Sequence, residues 1–371
     1  MILLFVIISL FILYSLLIIS YWLAWRSIPV YQPGSFVNTI IISVIIPARN
    51  EEENIGALLN ALKQQTYPEE LFEVLVIDDQ STDNTASIVR QFQGVHLITL
   101  KEENINSYKK KAIEKGIIAA KGELIITTDA DCLPGMNWLK TIASFKEERQ
   151  SVFIAAPVVF NNDHTILDIF QSLDFMILQG ITGASVYTNK HSMCNGANLA
   201  YEKNAFETVK GFEGIDTIAS GDDMLLMHKI WKQYPDRVHY LKSKDAIVFT
   251  QPMKTWNAFF SQRIRWASKA STYDDKRIVG VLLLVYLFNL SFLAMIAAGF
   301  FCYQYWLYLL IFWIAKTLVE LPFVYSVATF FGRRLLLNYF FFFQPLHIVY
   351  TVFSGLLGMF GKYEWKGRKV K

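Results

Sequence analysis

The sequence predicts an α/β domain with a mostly parallel sheet, set between hydrophobic segments long enough to cross a membrane. Three observations lead there. Between residues 40 and 275, short apolar runs alternate with helical stripes, the pattern of a sheet covered by helices on both faces. Outside that stretch lie uncharged runs of bilayer length. Within it, acidic residues follow directly on the apolar runs, at the strand ends where such sheets bind ligands.

Composition sets the limits. Hydrophobic residues make up 53% of the 371 and charged residues 18%, against roughly 25% charged in a soluble domain. Disorder needs the opposite balance. Three cysteines cannot build a disulfide scaffold. A net charge of +3 supplies no concentrated basic surface, so no nucleic-acid partner is expected.

Residues 2–25 carry no charge, and about 20 apolar residues suffice to cross a bilayer. A cleaved signal peptide would have a basic start, a short apolar core and a small-residue cleavage site. Here Tyr21, Trp22 and Trp25 close the run before Arg26, like an interfacial belt. The reading is an uncleaved anchor with the following chain on the cytoplasmic side of the cell membrane. Residues 278–315 are also uncharged and predict crossings near 278–301 and 306–328, joined by a turn at 302–305. Lys316 and Glu320 then share a helical face, which must meet protein or water rather than lipid. Arg333 and Arg334 mark a cytoplasmic turn. The run 335–361, interrupted by Gln344, Pro345 and His347, reads either as a span or as a re-entrant segment. A span would put the basic tail outside, against the positive-inside rule. The expected organisation is an anchor (1–26), a folded domain (40–252), an interfacial segment (253–275), a membrane region of two to three helices (278–361) and a basic tail (362–371).

In the domain, 40–46, 71–77, 95–100 and 124–128 read as strands, and 54–65, 85–92 and 110–120 as helices. Glu51, Glu52 and Glu53 are expected in the first turn of the first of these helices, where its dipole favours anions. PARNE (47–51) follows the first strand, DDQSTDNT (78–85) the second and DAD (129–131) the fourth. Asp129 and Asp131 are one residue apart, so in extended chain they point the same way. Two such carboxylates repel unless a cation joins them, and oxygen ligands favour Mg²⁺ or Mn²⁺ bridged to phosphates. No GxxxxGK[ST] or GxGxxG fingerprint is present. Further on, NGAN (195–198) precedes a short strand, and SGDD (220–223) precedes a helical run where Asp222 and Asp223 are either caps or functional acids. Gln262, Arg265 and Trp266 share one face if residues 256–266 are helical. Such a helix also suits a membrane interface.

SVIIPARNE (43–51), IDDQSTDNT (77–85), TDADC (128–132), SGDD (220–223) and QRIRW (262–266) occur in the order of the membrane-bound family 2 glycosyltransferases. That group includes the cellulose, chitin and hyaluronan synthases and the nodulation chitin-oligosaccharide synthases. The resemblance implies a GT-A fold, a nucleotide-sugar donor, a divalent cation and an inverting transfer. By resemblance, Pro47, Arg49 and Glu51 line the nucleotide pocket and Asp79, with Asp78 beside it, matches the uracil-binding carboxylate. Lys109 falls where the family carries a basic residue near the nucleotide. Asp129 and Asp131 match the metal-binding DxD, with Asp129 also near ribose. Asp223 matches the general base, with Asp222 where many members have glutamate. Gln262, Arg265 and Trp266 match QxxRW, with Arg263 at a variable position. The resemblance gives the arginine to the diphosphate and the tryptophan to the acceptor sugar. The expected partners are a nucleotide-sugar, UDP-linked, a glycan or lipid-linked acceptor, and membrane lipid. A polyprenyl-phosphate sugar synthase, a single-addition glycolipid glycosyltransferase and an inactive scaffold are the competing readings. Cys132 is read as a packing residue, and the histidines show no metal spacing.

Overall fold

A computed structural model describes residues 2–34, 39–101, 107–161, 163–216, 218, 221–269, 274–360, 363–365 and 368–370. Ser220 and the tail lysines Lys362, Lys366 and Lys371 lie outside the described residues. In chain order the first elements are α1 (Ile2–Ser27), β1 (Ile42–Ala48), α2 (Ile55–Lys63), β2 (Phe72–Asp78), α3 (Thr85–Val89) and β3 (Val95–Thr99). Next come α4 (Tyr108–Ala119), β4 (Leu124–Thr127), β5 (Leu133–Pro134), α5 (Trp138–Arg149), β6 (Phe153–Ala155), β7 (Val158–Phe160) and α6 (Ile166–Tyr187). Then follow β8 (Leu199–Glu202), α7 (Lys203–Thr208), α8 (Asp222–Gln233), β9 (Val238–Tyr240) and β10 (Val248–Thr250). The rest is α9 (Trp256–Ala267), α10 (Lys276–Gly299), α11 (Gln304–Phe331), α12 (Leu337–Phe360), β11 (Tyr363–Trp365) and β12 (Arg368–Val370). The chain divides into two compact units.

One unit comprises residues 29–161, 192–251 and 364–371. Its main sheet has seven strands in the order β3-β2-β1-β4-β8-β6-β9. Val44, Ile45 and Ile46 of β1 are fully buried, as expected of a central parallel strand covered on both faces. β1 runs parallel to β2 and β4, pairing Ile42 with Phe72 and with Leu124. The carboxyl ends of all three strands therefore share one edge. β4 stops pairing at Ile45, so Pro47 sits where β1 keeps a neighbour on one side only, a position that tolerates a missing N–H. β8 is antiparallel to β4 and β6, and β5, β10 and β7 form a second, three-stranded sheet.

Glu51, Glu52 and Glu53 are not in the first turn of α2, which begins at Ile55. Glu52 instead accepts hydrogen bonds from the backbone and side-chain amides of Asn84 at 2.9 Å. The Glu51 backbone N–H donates to Thr85 Oγ1 at 2.8 Å. Cross-loop bonding has replaced the dipole contact.

Gly122 holds the start of β4 against β1. A Cβ there would lie 2.5 Å from the Ser43 nitrogen and 2.6 Å from the Ile42 carbonyl carbon. Both obstacles are backbone and cannot rotate away. Gly122→Ala should destabilise this unit by about 3 kcal/mol, the upper range for overpacking, read as a lower denaturant midpoint with an unchanged slope.

The other unit comprises residues 1–28, 162–191 and 252–363. Among the described residues, four of its helices are long and apolar enough to cross a membrane: Ile2–Ser27, Lys276–Gly299, Gln304–Phe331 and Arg334–Met359. α12 is a single helix with Pro345 inside it. Lys316 and Glu320 are both buried and 2.7 Å apart, and Gln344 of α12 bonds to both. Tyr14 of α1 donates to Glu320 as well. The pair thus meets protein rather than the outside of the apolar helices. His191 Nε2 contacts Tyr21 at 2.8 Å and Ser185 at 2.9 Å, in the buried interior of this unit.

Candidate active site

The shared strand edge gathers the polar loops. Arg49 Nη1 donates to the carbonyls of Asp79 and Gln80 at 2.6 and 3.3 Å and lies 4.0 Å from the Asp79 carboxylate. Asp79 N–H donates to the Ala48 carbonyl at 2.8 Å. Asp78 accepts from the Ser81 amide at 3.2 Å, and Asn50 accepts from the Thr82 amide at 2.9 Å. Asn50 and Gln80 take left-handed backbone angles, with φ of 51° and 53°, a conformation that costs non-glycine residues energy and that the cross-loop bonds hold in place. The structure thus brings Pro47, Arg49, Glu51, Asp78 and Asp79 together at the ends of β1 and β2.

Beside them lies an acidic cluster. Lys109 of α4 places Nζ 2.6 Å from Asp129 and 3.5 Å from Asp222. Asp131 accepts from the Thr250 hydroxyl at 3.2 Å, at the end of β10. Asp223, in the first turn of α8, accepts from the Gly196 amide at 3.2 Å and from its neighbour Met224 at 2.8 Å. A Cβ on Gly196 would come within 3.3 Å of both Lys109 Nζ and Asp222, so the turn runs close against the cluster. Gly221 opens α8 at φ 79°, a left-handed angle natural to glycine. The sequence marks the NGAN turn but not the bond its Gly196 amide makes, and it gives no hint of Thr250.

The charges are uneven. Burial, then Asp129 and Glu51, push the Asp131 carboxyl up to about 6, although its bond from Thr250 acts the other way. Burial works against the charge on Lys109, but Asp129, Asp222 and Asp223 outweigh it and hold its ammonium protonated well above the usual range. Burial, with Asp131 and Asp129, raises the Cys132 thiol, and the side chain is fully buried, which suits a packing group better than a nucleophile.

Among the described residues no three His, Cys, Asp or Glu side chains could hold a metal by themselves. Two crowded carboxylates do suit a hard cation that completes its shell with phosphate oxygens and water. Because the folded carboxyl of Asp131 titrates above its unfolded value, its contribution to stability is present at low pH and is lost as pH rises through about 6. Wild type should therefore lose thermal stability relative to Asp131→Asn between about pH 5 and about pH 7 in chelator. Mn²⁺ should reverse that loss, increasingly so at the higher pH. A Mn²⁺ effect largest at the acid end would contradict a bound cation at Asp131.

Gln262, Arg263, Arg265 and Trp266 belong to α9, in the other unit. α9 is anchored by Phe259, which is fully buried with Leu167 and Phe170 of α6 and Tyr350 of α12. Arg263 is buried, whereas Gln262, Arg265 and Trp266 are half-buried. Each unit presents its own candidates: carboxylates and Lys109 in one, the QxxRW helix in the other.

A mostly parallel sheet of this order with polar loops at one edge has the GT-A type of glycosyltransferase fold. The mannosyltransferase PcManGT from Pyrobaculum calidifontis, solved with GDP-Man and Mn²⁺, shares it at a TM-score of 0.60 and 19% identity, over 96% of this chain and 97% of that one. Residues 43–210 match the family Glycosyl transferase family 2. The chain is 27% identical over 233 residues to the probable glycosyltransferase YdaM of Bacillus subtilis, covering 61% of this chain and 54% of that one. It is 25% identical over 228 residues to the poly-beta-1,6-N-acetyl-D-glucosamine synthase of Staphylococcus epidermidis, covering 61% and 53%. Over 102 residues it is 41% identical to the glycosyltransferase AglE of Haloferax volcanii, covering 27% and 33%. The chain spans about half the length of the first two of these relatives and a third of AglE.

Proposed function

We propose that the protein is a membrane-embedded, inverting glycosyltransferase. It moves a sugar from a nucleotide-sugar, UDP-linked, to a growing glycan or a lipid-linked acceptor on the cytoplasmic side of the cell membrane. The observation that carries this reading is the cluster of Asp129, Asp222 and Asp223 around Lys109, with Asp131 beside Asp129, at the strand-end edge of the region that matches Glycosyl transferase family 2.

Asp79 and Arg49 take the base, with Pro47, Glu51 and Asp78 shaping the loop around it. Asp129 and Asp131 would hold Mg²⁺ or Mn²⁺. When bound, the cation neutralises the charge that gathers on the departing diphosphate. Lys109 adds fixed positive charge beside Asp129. Asp223, held by the Gly196 amide, takes the proton from the acceptor hydroxyl as that oxygen attacks the anomeric carbon. One displacement inverts the configuration and needs no covalent nucleophile. Gln262 and Arg265 engage the diphosphate, where a planar guanidinium can grip two oxygens. Trp266 offers an aromatic face to the acceptor sugar.

Purified protein in detergent, given a panel of UDP-sugars, Mn²⁺, and glycan or lipid-linked acceptors, should release UDP and yield an acceptor heavier by one or more sugars in mass spectra. Release of UDP without such a product would refute the transferase reading. Trp266→Ala should lower transfer about a hundredfold, the scale of a lost positioning contact. A polyprenyl-phosphate sugar synthase, which does not require QxxRW, would retain most of its rate.

A further inference from the structure

Arg263 occupies the position between the motif residues that the family pattern leaves open, yet it is the buried one. Its side chain is 3% exposed and lies 2.7 Å from Asp174 of α6, which is 4% exposed. The pair does not meet hydrogen-bond geometry, so the guanidinium is held by charge and by two aromatic rings. It lies 4.2 Å from the centre of the Trp266 ring and 4.9 Å from that of Phe259, within cation–π range of both. Asp174 also accepts from Tyr350 of α12 and faces His347 Nε2 at 3.9 Å. The next residue on α6, Phe175, tilts against Trp266 with ring centres 6.2 Å apart.

A buried ion pair is weak as a source of stability, because desolvation offsets its attraction. This one reaches Trp266 from two sides, directly through Arg263 and through Phe175, the neighbour of Asp174. We infer that Asp174 and Arg263 are positioning residues that fix the plane of the Trp266 ring for the acceptor sugar, by tying α9 to α6 and α12. The inference rests on the reading of Trp266 as the acceptor platform. It also separates the two arginines of the motif: Arg265 engages the donor, and Arg263 stands behind the tryptophan.

The test uses the full-length protein in detergent with UDP-N-acetylglucosamine and a β-linked N-acetylglucosamine tetrasaccharide. Arg263→Met and Asp174→Asn should each raise the acceptor KM about tenfold and leave the donor KM within about twofold. The double variant should be no worse than either single one, because both break the same contact. In parallel, hydrogen exchange without substrate should speed up in the peptide covering α9 in Arg263→Met, while peptides from residues 40–161 stay unchanged. Additive losses, or a fall in kcat with both KM values moving together, would overturn the inference. So would unaltered exchange in α9. If wild type transfers no sugar to this acceptor, exchange alone decides: faster α9 exchange upholds the ring clamp while the transferase reading fails, and unaltered exchange overturns the clamp itself.

Discussion

Asp223→Asn should lower kcat by roughly a thousandfold, within the range for loss of a general base, with the donor KM little changed. The geometry separates this residue from its neighbour. Asp222 lies 3.5 Å from the Lys109 ammonium, whereas Asp223 is oriented by the Gly196 amide at 3.2 Å. Asparagine keeps the shape and one acceptor oxygen but cannot take a proton. Folding should suffer by only about 1 kcal/mol, the worth of one backbone hydrogen bond. Asp222→Asn should cost much less in rate, because its carboxylate serves Lys109. Single-turnover kinetics on both variants would check the assignment, and equal losses would show the two acids acting as one.

Asp131→Asn should abolish stimulation by Mn²⁺ and lower kcat/KM about a thousandfold, since a Lewis-acid cation supplies several kcal/mol to the transition state. The variant should nevertheless be as stable as wild type, or more so, near neutral pH. Asp131 is buried beside Asp129 with its carboxyl pushed up to about 6, so ionised Asp131 strains the fold that carries it. Asparagine removes the charge and keeps an acceptor for the Thr250 hydroxyl, now 3.2 Å away. Activity lost while melting temperature holds would separate a metal ligand from a structural acid. Parallel loss of both would contradict the assignment.

The central strands were legible because their physics is local. Val44 to Ile46 are apolar and buried on both faces, which only a covered parallel strand demands. Asp78, Asp79, Asp129 and Asp131 are legible because they lie at the ends of such strands. The antiparallel pairing of β8 with β4 and β6 was not, since β6 is only three residues long and runs that short carry no periodicity. The helix dipole favours the glutamates at 51 to 53 in a first turn, but Glu52 finds its partner, Asn84, in the second loop, which sequence order does not bring near. The same limit hid the pairing of Lys109 with Asp222 and of Arg263 with Asp174. A charge between motif positions reads as solvated until a distant helix supplies its counterion. Asp174 did leave a trace: an ionisable residue inside the apolar stripe of α6, with Phe175 and Met176 buried next to it. Pro345 left the last apolar run open between a span and a re-entrant segment, and the helix continues through it.

The central claim is a single displacement at the anomeric carbon, assisted by Asp223 and a cation at Asp129 and Asp131. The most direct measurement is the anomeric configuration of the bond formed, by proton NMR of the product made from an α-linked UDP-sugar with Mn²⁺. A β-linkage, absent when Mn²⁺ is removed, is the predicted result. An α-linkage would require a second displacement and a nucleophile that the cluster does not assign, and it would contradict the account.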